Sequence, residues 1–420
     1  MKKYLLLVLM TVTVITSVAG NLNVGAAKAD ITPAVSLFPF NSPHESYPYV
    51  GVHDSLFIRA VVMDDENVRN IVIELDEASV PDAEEWIDDI AKAANTKKQN
   101  IIITVSHTHS TLHPDSHNPK LKKHVIFMKE QTLKAVQEAI SHIQPAKVSF
   151  GRTKAYVNVN NGESSRSLGQ YDNDTYSDKT FDIIRFNSFR NKPIALILNY
   201  STHAEVMFRS LSNSKGYEIS GDLPGRVAQI LENREDGAPV VLTTPGAEGD
   251  QQPLFTSKQR TTRQGTVEHG AGGWNIVDIL ARRIVDAALE KMETMEDETD
   301  AKLYGNATTI SVPGQSYNHN WQTGENHLEE TSDVTIPIVR MQMGDIAIEA
   351  IGADLASRIG TNIRNAAALK NTMLITNIGG SVGYILEDSA YKNPGHGAFG
   401  SKVKPGYAEK AIIRGLKNLK

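Results

Sequence analysis

Short runs of aliphatic and β-branched residues alternate with amphipathic stretches along most of the 420-residue chain. The runs at 56–63 and 70–75 predict strands. Residues 81–94 predict a helix, with Pro81 at its start, acids in its first turn, and Trp86, Ile87, Ile90 and Ala91 on one face. The unbroken Ile and Val run at 100–105 has the signature of a strand buried on both faces. A helix over 126–143, ended by Pro145, follows. Strands at 183–187, 193–200 and 239–243 come next, with a helix over 223–233 between the last two and a long amphipathic helix over 274–292. The last third is strand-rich, at 301–312, 334–342, 346–351 and 373–376, before a C-terminal helix from Tyr407. This alternation predicts an α/β fold, a mixed β-sheet core flanked by helices. The polar, glycine-containing stretches at 255–273 and 313–332 are expected to be mobile surface loops or lids. Neither has the composition of a linker, so one large domain is expected over residues 20–420.

The first residues carry a different pattern. Lys2 and Lys3 precede an apolar stretch at 5–15 and the small residues Ser17-Val18-Ala19, which predicts a signal peptide over 1–19 and a secreted or periplasmic protein. An uncleaved anchor is the alternative, opposed by the shortness of the stretch and by Thr11, Thr13 and Thr16 within it. No stable membrane span is expected after cleavage. The chain has no cysteine, which excludes disulfides, thiolate metal sites, iron–sulfur clusters and a cysteine nucleophile. Any metal must be held by nitrogen and oxygen donors. With 43 basic against 49 acidic residues and a net charge of −6, the chain has no general affinity for nucleic acid.

The strongest chemical signal is Val105-Ser106-His107-Thr108-His109-Ser110, just past the strand at 100–105. Ligands on α/β sheets gather at the carboxyl ends of strands. Side-chain alternation puts His107 and His109 on one side of an extended segment, so one can bind a metal while the other meets substrate. His113 and His117 extend the cluster and read more readily as a solvated loop. His203 lies three residues past the strand at 193–200, again where a sheet presents its site; its alternative is a structural core histidine. Asp354 follows the strand at 346–351 and is either a further ligand or the N-cap of a helix over 355–365. Tyr384 offers a phenolic oxygen or ordinary packing. Gly246-Ala247-Glu248-Gly249-Asp250-Gln251-Gln252-Pro253 follows the strand at 239–243; its glycines permit close approach to a ligand, and Asp250 has the chemistry to orient a histidine. Its plain alternative is a tight turn. In Gly221-Asp222-Leu223-Pro224-Gly225, Asp222 reads as a helix cap.

Taken in order, Ala26-Ala27-Lys28-Ala29-Asp30-Ile31-Thr32-Pro33, Gly51-Val52-His53-Asp54, His107-Thr108-His109-Ser110, His203, Gly221 to Gly225, Gly249-Asp250 and Gly383-Tyr384 resemble the catalytic domain of the neutral/alkaline non-lysosomal ceramidases. The resemblance implies a single catalytic domain and a zinc ion held by His107, His203, Asp354 and Tyr384. It implies that His109 faces the substrate's polar atoms and that Arg166 helps to bind substrate. The reaction it implies is hydrolysis of an N-acyl amide by metal-activated water, with ceramide or another small-molecule or lipid substrate as partner. Asp354 stands where the family has glutamate, and Gln252 where it has a serine. The chain also ends near the close of the catalytic domain, without the family's extra β-domain. Gln252 and the polar loops favour, as an alternative, a metal-dependent hydrolase of a polar ester, amide or glycan; a non-catalytic secreted binding protein is the third reading.

Overall fold

The computed structural model of the protein describes residues 22–43, 45–160, 176–213, 215–234, 239–261, 265–298, 301–319, 323, 325–392 and 396–419. Eight strands of a nine-stranded sheet form one path. In chain order they are β1 (Asn23–Asp30), β2 (Phe57–Asp64), β3 (Arg69–Leu75), β4 (Ile101–Val105), β5 (Gln144–Lys154), β6 (Thr180–Ser188), β7 (Pro193–Tyr200) and β8 (Val240–Pro245). Their spatial order is β8-β7-β6-β5-β1-β2-β3-β4. The pairs β3–β4 and β7–β8 are parallel, and the pairs between them are antiparallel. Mixed α/β is therefore the observed class. The sheet curls, so that β8 packs against β2, β3 and β4. This brings together the carboxyl ends of two parallel pairs that stand at opposite ends of the strand order.

The Ile/Val run of β4 is continuous because the strand serves two cores. Ile101, Ile103 and Val105 pack with Trp86 and Ile90 of α1 (Ala83–Ala93) and Val125 and Met128 of α2 (Lys122–Ser141). Ile102, on the opposite face, packs with Val61, Ile197, Leu242, Met341 and Ile348. The last two belong to a second sheet of β9 (Leu303–His319), β10 (Asn326–Met343), β11 (Ile346–Ile351) and β12 (Asn371–Ile375), in that order. The face of β6–β8 turned away from this interior is covered by α3 (Asp222–Glu232) and α4 (Gly273–Met292). Helix α5 (Ser357–Ala366) and the C-terminal helix Ala408–Asn418 pack on the second sheet.

Two buried polar groups sit within this frame. Arg59 on β2 is fully enclosed and bonds Glu74 at 3.3 Å, Asp76 at 2.9 Å and Glu232 at 3.0 Å. Burial alone would weaken its basicity, but Asp76, Glu74 and Glu232 outweigh that and keep it charged. Burial and the adjacent Asp76 push the Glu74 carboxyl well above the usual carboxylate range. Beyond β3, Glu77 lies 4.0 Å from His124 in the first turn of α2. Burial raises Glu77 to about 8 and lowers His124 to about 4. Between those values both groups are neutral.

Several expectations are revised. β1 and β5 were not expected; Pro145 does end α2, but it is the second residue of β5. The stretch 313–332 is not a loop, because β9 and β10 continue through most of it as a paired ladder with one irregularity between Val312 and Gly314. The stretch 255–273 holds a small hairpin, Lys258–Thr261 with Gly265–Glu268. Asp354 is no N-cap: α5 starts at Ser357 behind Ala356, while Asp354 sits in a two-residue strand paired with Tyr384. Asp222 is the first residue of α3 rather than its cap, with φ 51°. The segment 1–19 lies outside the described residues. No described helix is long and apolar enough to cross a membrane.

Candidate metal centre

After Val105 the chain turns at His107, whose φ of 59° lies in the left-handed region that histidine tolerates better than most residues. The loop after β7 runs alongside. Thr108 and Ala204 form a parallel bridge, and His109 N donates to the Ala204 carbonyl at 3.1 Å. Asp222 clamps this second loop from α3, its carboxylate accepting from Val206 N at 3.2 Å and Met207 N at 2.8 Å. The result gathers three imidazoles. The ring centroids of His107 and His203 are 5.2 Å apart, those of His109 and His203 5.5 Å, and those of His107 and His109 5.0 Å. One potential ligand atom of each lies within 4.8 Å of the others.

Each histidine is held through Nδ1. His107 Nδ1 lies 2.6 Å from Asn377 Nδ2 and 3.4 Å from Glu248 Oε1. His203 Nδ1 lies 3.0 Å from the Gln251 carbonyl. His109 Nδ1 lies 3.3 Å from Glu205 Oε1. Engagement of one ring nitrogen by a carboxylate or carbonyl, as at His203 and His109, is how proteins aim the other nitrogen at a metal; at His107 the nearest neighbour of Nδ1 is instead an amide nitrogen, a donor. His203 Nε2 lies 3.3 Å from Asp354 Oδ2. The other Asp354 oxygen, Oδ1, is buried and has no hydrogen bond among the described residues. Tyr384, opposite Asp354 in the bridge, sets its ring 6.3 Å from that of His203. This donor set of imidazole nitrogens and carboxylate oxygen fits a divalent metal of the zinc type. The rings of His107 and His109 lie within 9° of parallel, and both meet the His203 ring at an angle, 65° and 61°.

Burial, with His203 beside it, lowers His107 to about 4, so it is neutral at neutral pH. Burial would lower His203 too, but Asp354, Tyr384 and Glu248 outweigh it and hold its pKa well above the ordinary value. Burial raises Glu248, and Asp354 and Glu205 raise it further, against the pull of His203. Three carboxylates crowd this pocket, and a cation relieves that crowding.

The remaining expected residues divide. Asp250 reaches no histidine through its hydrogen bonds; its carboxylate takes Ser357 N at 2.8 Å, Ser357 Oγ at 3.0 Å, Asn160 Nδ2 at 2.9 Å and Gln251 Nε2 at 2.9 Å. It braces Gln251, whose carbonyl holds His203. Gln252 Nε2 donates to Glu205 Oε2 at 3.3 Å, one bond from His109. His113 stands edge-on to His109 at 6.2 Å, and His117 is on the surface beside Asp115. Arg166 lies outside the described residues. Sequence reasoning missed Glu205, Glu248 and Asn377. Each follows a strand within a few residues, the same signal that found the histidines.

Imidazoles and a carboxylate collected at the carboxyl ends of strands in a mixed sheet define an α/β protein with a site able to bind a metal. The sequence model for neutral/alkaline non-lysosomal ceramidases, N-terminal, matches residues 22–253, and the chain belongs to this family of ceramidase-type hydrolases. A search of curated protein sequences finds no match. Among solved structures, the neutral ceramidase from Pseudomonas aeruginosa is similar with a TM-score of 0.72 at 14% identity, over 94% of this chain and 73% of that one. A ceramidase complexed with C2 is similar with a TM-score of 0.71 at 13% identity, over 94% and 74%.

Proposed function

We propose that the protein is an exported, zinc-dependent hydrolase that cleaves an N-acyl amide, with one hydrolase domain over residues 20–420. The observation that carries this reading is the His203–Asp354 approach beside a neutral His107, each imidazole anchored through Nδ1. His107, His203, Asp354 and Tyr384 are the residues that would hold the ion. When bound, zinc would supply Lewis acidity to a carbonyl oxygen and lower the pKa of a water. Asn377 and Glu248 pack against His107 Nδ1, and the Gln251 carbonyl keeps His203 aimed. His109 meets the polar atoms of the substrate, with Glu205 and Gln252 behind it. Asp250 acts through Gln251, and the family resemblance gives Arg166 a part in binding substrate. The charged n-region, apolar stretch and small-residue site at 1–19 support export.

A second reading keeps the metal and replaces the lipid with a polar acylated compound. The carboxamide of Gln252 and the carboxylate of Glu205 beside the histidines favour it, since an acyl chain wants an apolar lining. Metal analysis of the purified protein, followed by turnover of an N-acyl sphingosine against acylated sugars and amino acids, tests both. Activity that persists in chelator with no metal bound would overturn both readings.

A further inference from the structure

Glu205 is outside the set proposed above to hold the ion, yet it is nine-tenths buried two residues past His203. Its two oxygens are used in different directions. Oε1 lies 3.3 Å from His109 Nδ1, and Oε2 accepts from Gln252 Nε2 at 3.3 Å. The bridge between Thr108 and Ala204 fixes the distance between the two loops, so that Glu205 faces His109 just as His203 neighbours His107. Phe208 adds an edge contact to the His109 ring at 5.2 Å. The imidazole thus has a carboxylate oxygen at one edge, an aromatic edge beside it and the parallel His107 ring on its face.

A carboxylate only accepts hydrogen bonds. The ring nitrogen facing it must therefore carry the proton, and in a neutral imidazole the other nitrogen is then an acceptor. Gln252 completes the arrangement, because its amide N–H group spends itself on Glu205 Oε2 and prevents that carboxylate from turning away. We propose that Glu205, locked by Gln252, is a positioning residue that fixes His109 as the Nδ1–H tautomer, so that Nε2 accepts a hydrogen bond from the substrate. The substrate class this selects bears an N–H or O–H donor next to the scissile carbonyl, such as a secondary amide. The inference rests on the metal-hydrolase reading for its use, but the tautomer itself does not depend on it. It also gives Gln252, at the family's serine position, a task of its own: holding the group that holds His109.

The test begins with the wild-type protein labelled with 15N-histidine, the His109 signals being assigned by their loss in His109→Asn. The expected spectrum has His109 protonated at Nδ1. Glu205→Ala is expected to move the proton to Nε2. With a fluorescent N-acyl sphingosine as probe, Glu205→Ala is expected to lower kcat by at least about 100-fold, with metal content unchanged. The preference for this secondary amide over its N-methylated analogue should be lost at the same time. A wild-type His109 protonated at Nε2, or a tautomer unmoved in Glu205→Ala, overturns the proposal even if that variant folds poorly, because the wild-type spectrum stands alone. Absence of metal and of turnover in the wild type, with the Nδ1–H signal present, overturns the hydrolase reading and not this one.

Discussion

Thr108 and Ala204 pair in a parallel bridge, and on the two sides of that single pair stand His107 with His203 and His109 with Glu205. One backbone contact between two strand-end loops therefore sets the spacing of both the pair proposed to hold the ion and the pair proposed to face substrate. Each pair depends on a second group supplied from elsewhere in the chain.

For the ion-holding pair that group is Asp354. Asp354→Ala is expected to weaken zinc binding by at least about 100-fold, as loss of a direct ligand should exceed the 10–100-fold seen for outer partners. Zinc titration with a competing chelator measures it. In the wild type, chelation should lower Tm and zinc should restore it, since an ion bound only by the folded state stabilises that state.

Gly249 presses against the same carboxylate. A Cβ placed there would lie 3.0 Å from the Asp354 carbonyl oxygen and 3.1 Å from its Oδ1. Gly249→Ala should displace Asp354 by a few tenths of an ångström and weaken metal binding about tenfold, with little loss of stability. A large fall in Tm with unchanged metal affinity would contradict this.

Glu77 supplies a pH dependence of stability away from the centre. Its folded pKa of about 8 exceeds its ordinary value of 4.5, so the folded state holds the extra proton between those values. Its contribution is fully present below about 4.5 and is lost as pH rises through about 8. His124, lowered from 6.5 to about 4, acts in the opposite sense, adding stability as pH rises from about 4 to 6.5. The window from 6.5 to 8 separates Glu77 from His124. There, wild-type stability by urea unfolding should fall with pH, and Glu77→Gln should flatten the slope.

Arg59 stands among three buried carboxylates. Arg59→Met leaves Glu74 and Asp76 without a cation, Glu232 keeping Lys28 at 2.6 Å, and is expected to cost about 3–5 kcal/mol. Glu74→Gln should cost far less, because burial and Asp76 already favour the protonated, neutral form of Glu74. Chemical denaturation of the two variants compares them directly.

Strands that serve two cores were plain from their residues. β7 occupies the expected 193–200, and β4 differs from 100–105 by one residue. β1 was hidden because its small residues answer to a helix. At Gly25 a Cβ would lie 2.0 Å from the Ala139 carbonyl oxygen of α2, so this strand trades β-branched bulk for close packing. The outer half of the β9–β10 hairpin was hidden for the opposite reason: residues 328–333 are exposed, and polar side chains there look like a loop. At the site, the histidines announced themselves by following strands. Glu205, Glu248 and Asn377 are ordinary polar residues until the curl of the sheet carries their loops to the imidazoles.

His107 and Asn377 share one further property: both adopt left-handed backbone, at φ 59° and 52°, and their side chains meet at 2.6 Å. Histidine and asparagine are among the few side chains at ease in that conformation. In a saturation library, each position is therefore filtered twice, once by the shape of the chain and once by the contact across it. Glycine would satisfy the first filter and fail the second, and a β-branched residue would fail both. Mutational tolerance at 107 and 377 should be narrow and correlated, a linkage in variation that arises from two backbone angles as much as from chemistry.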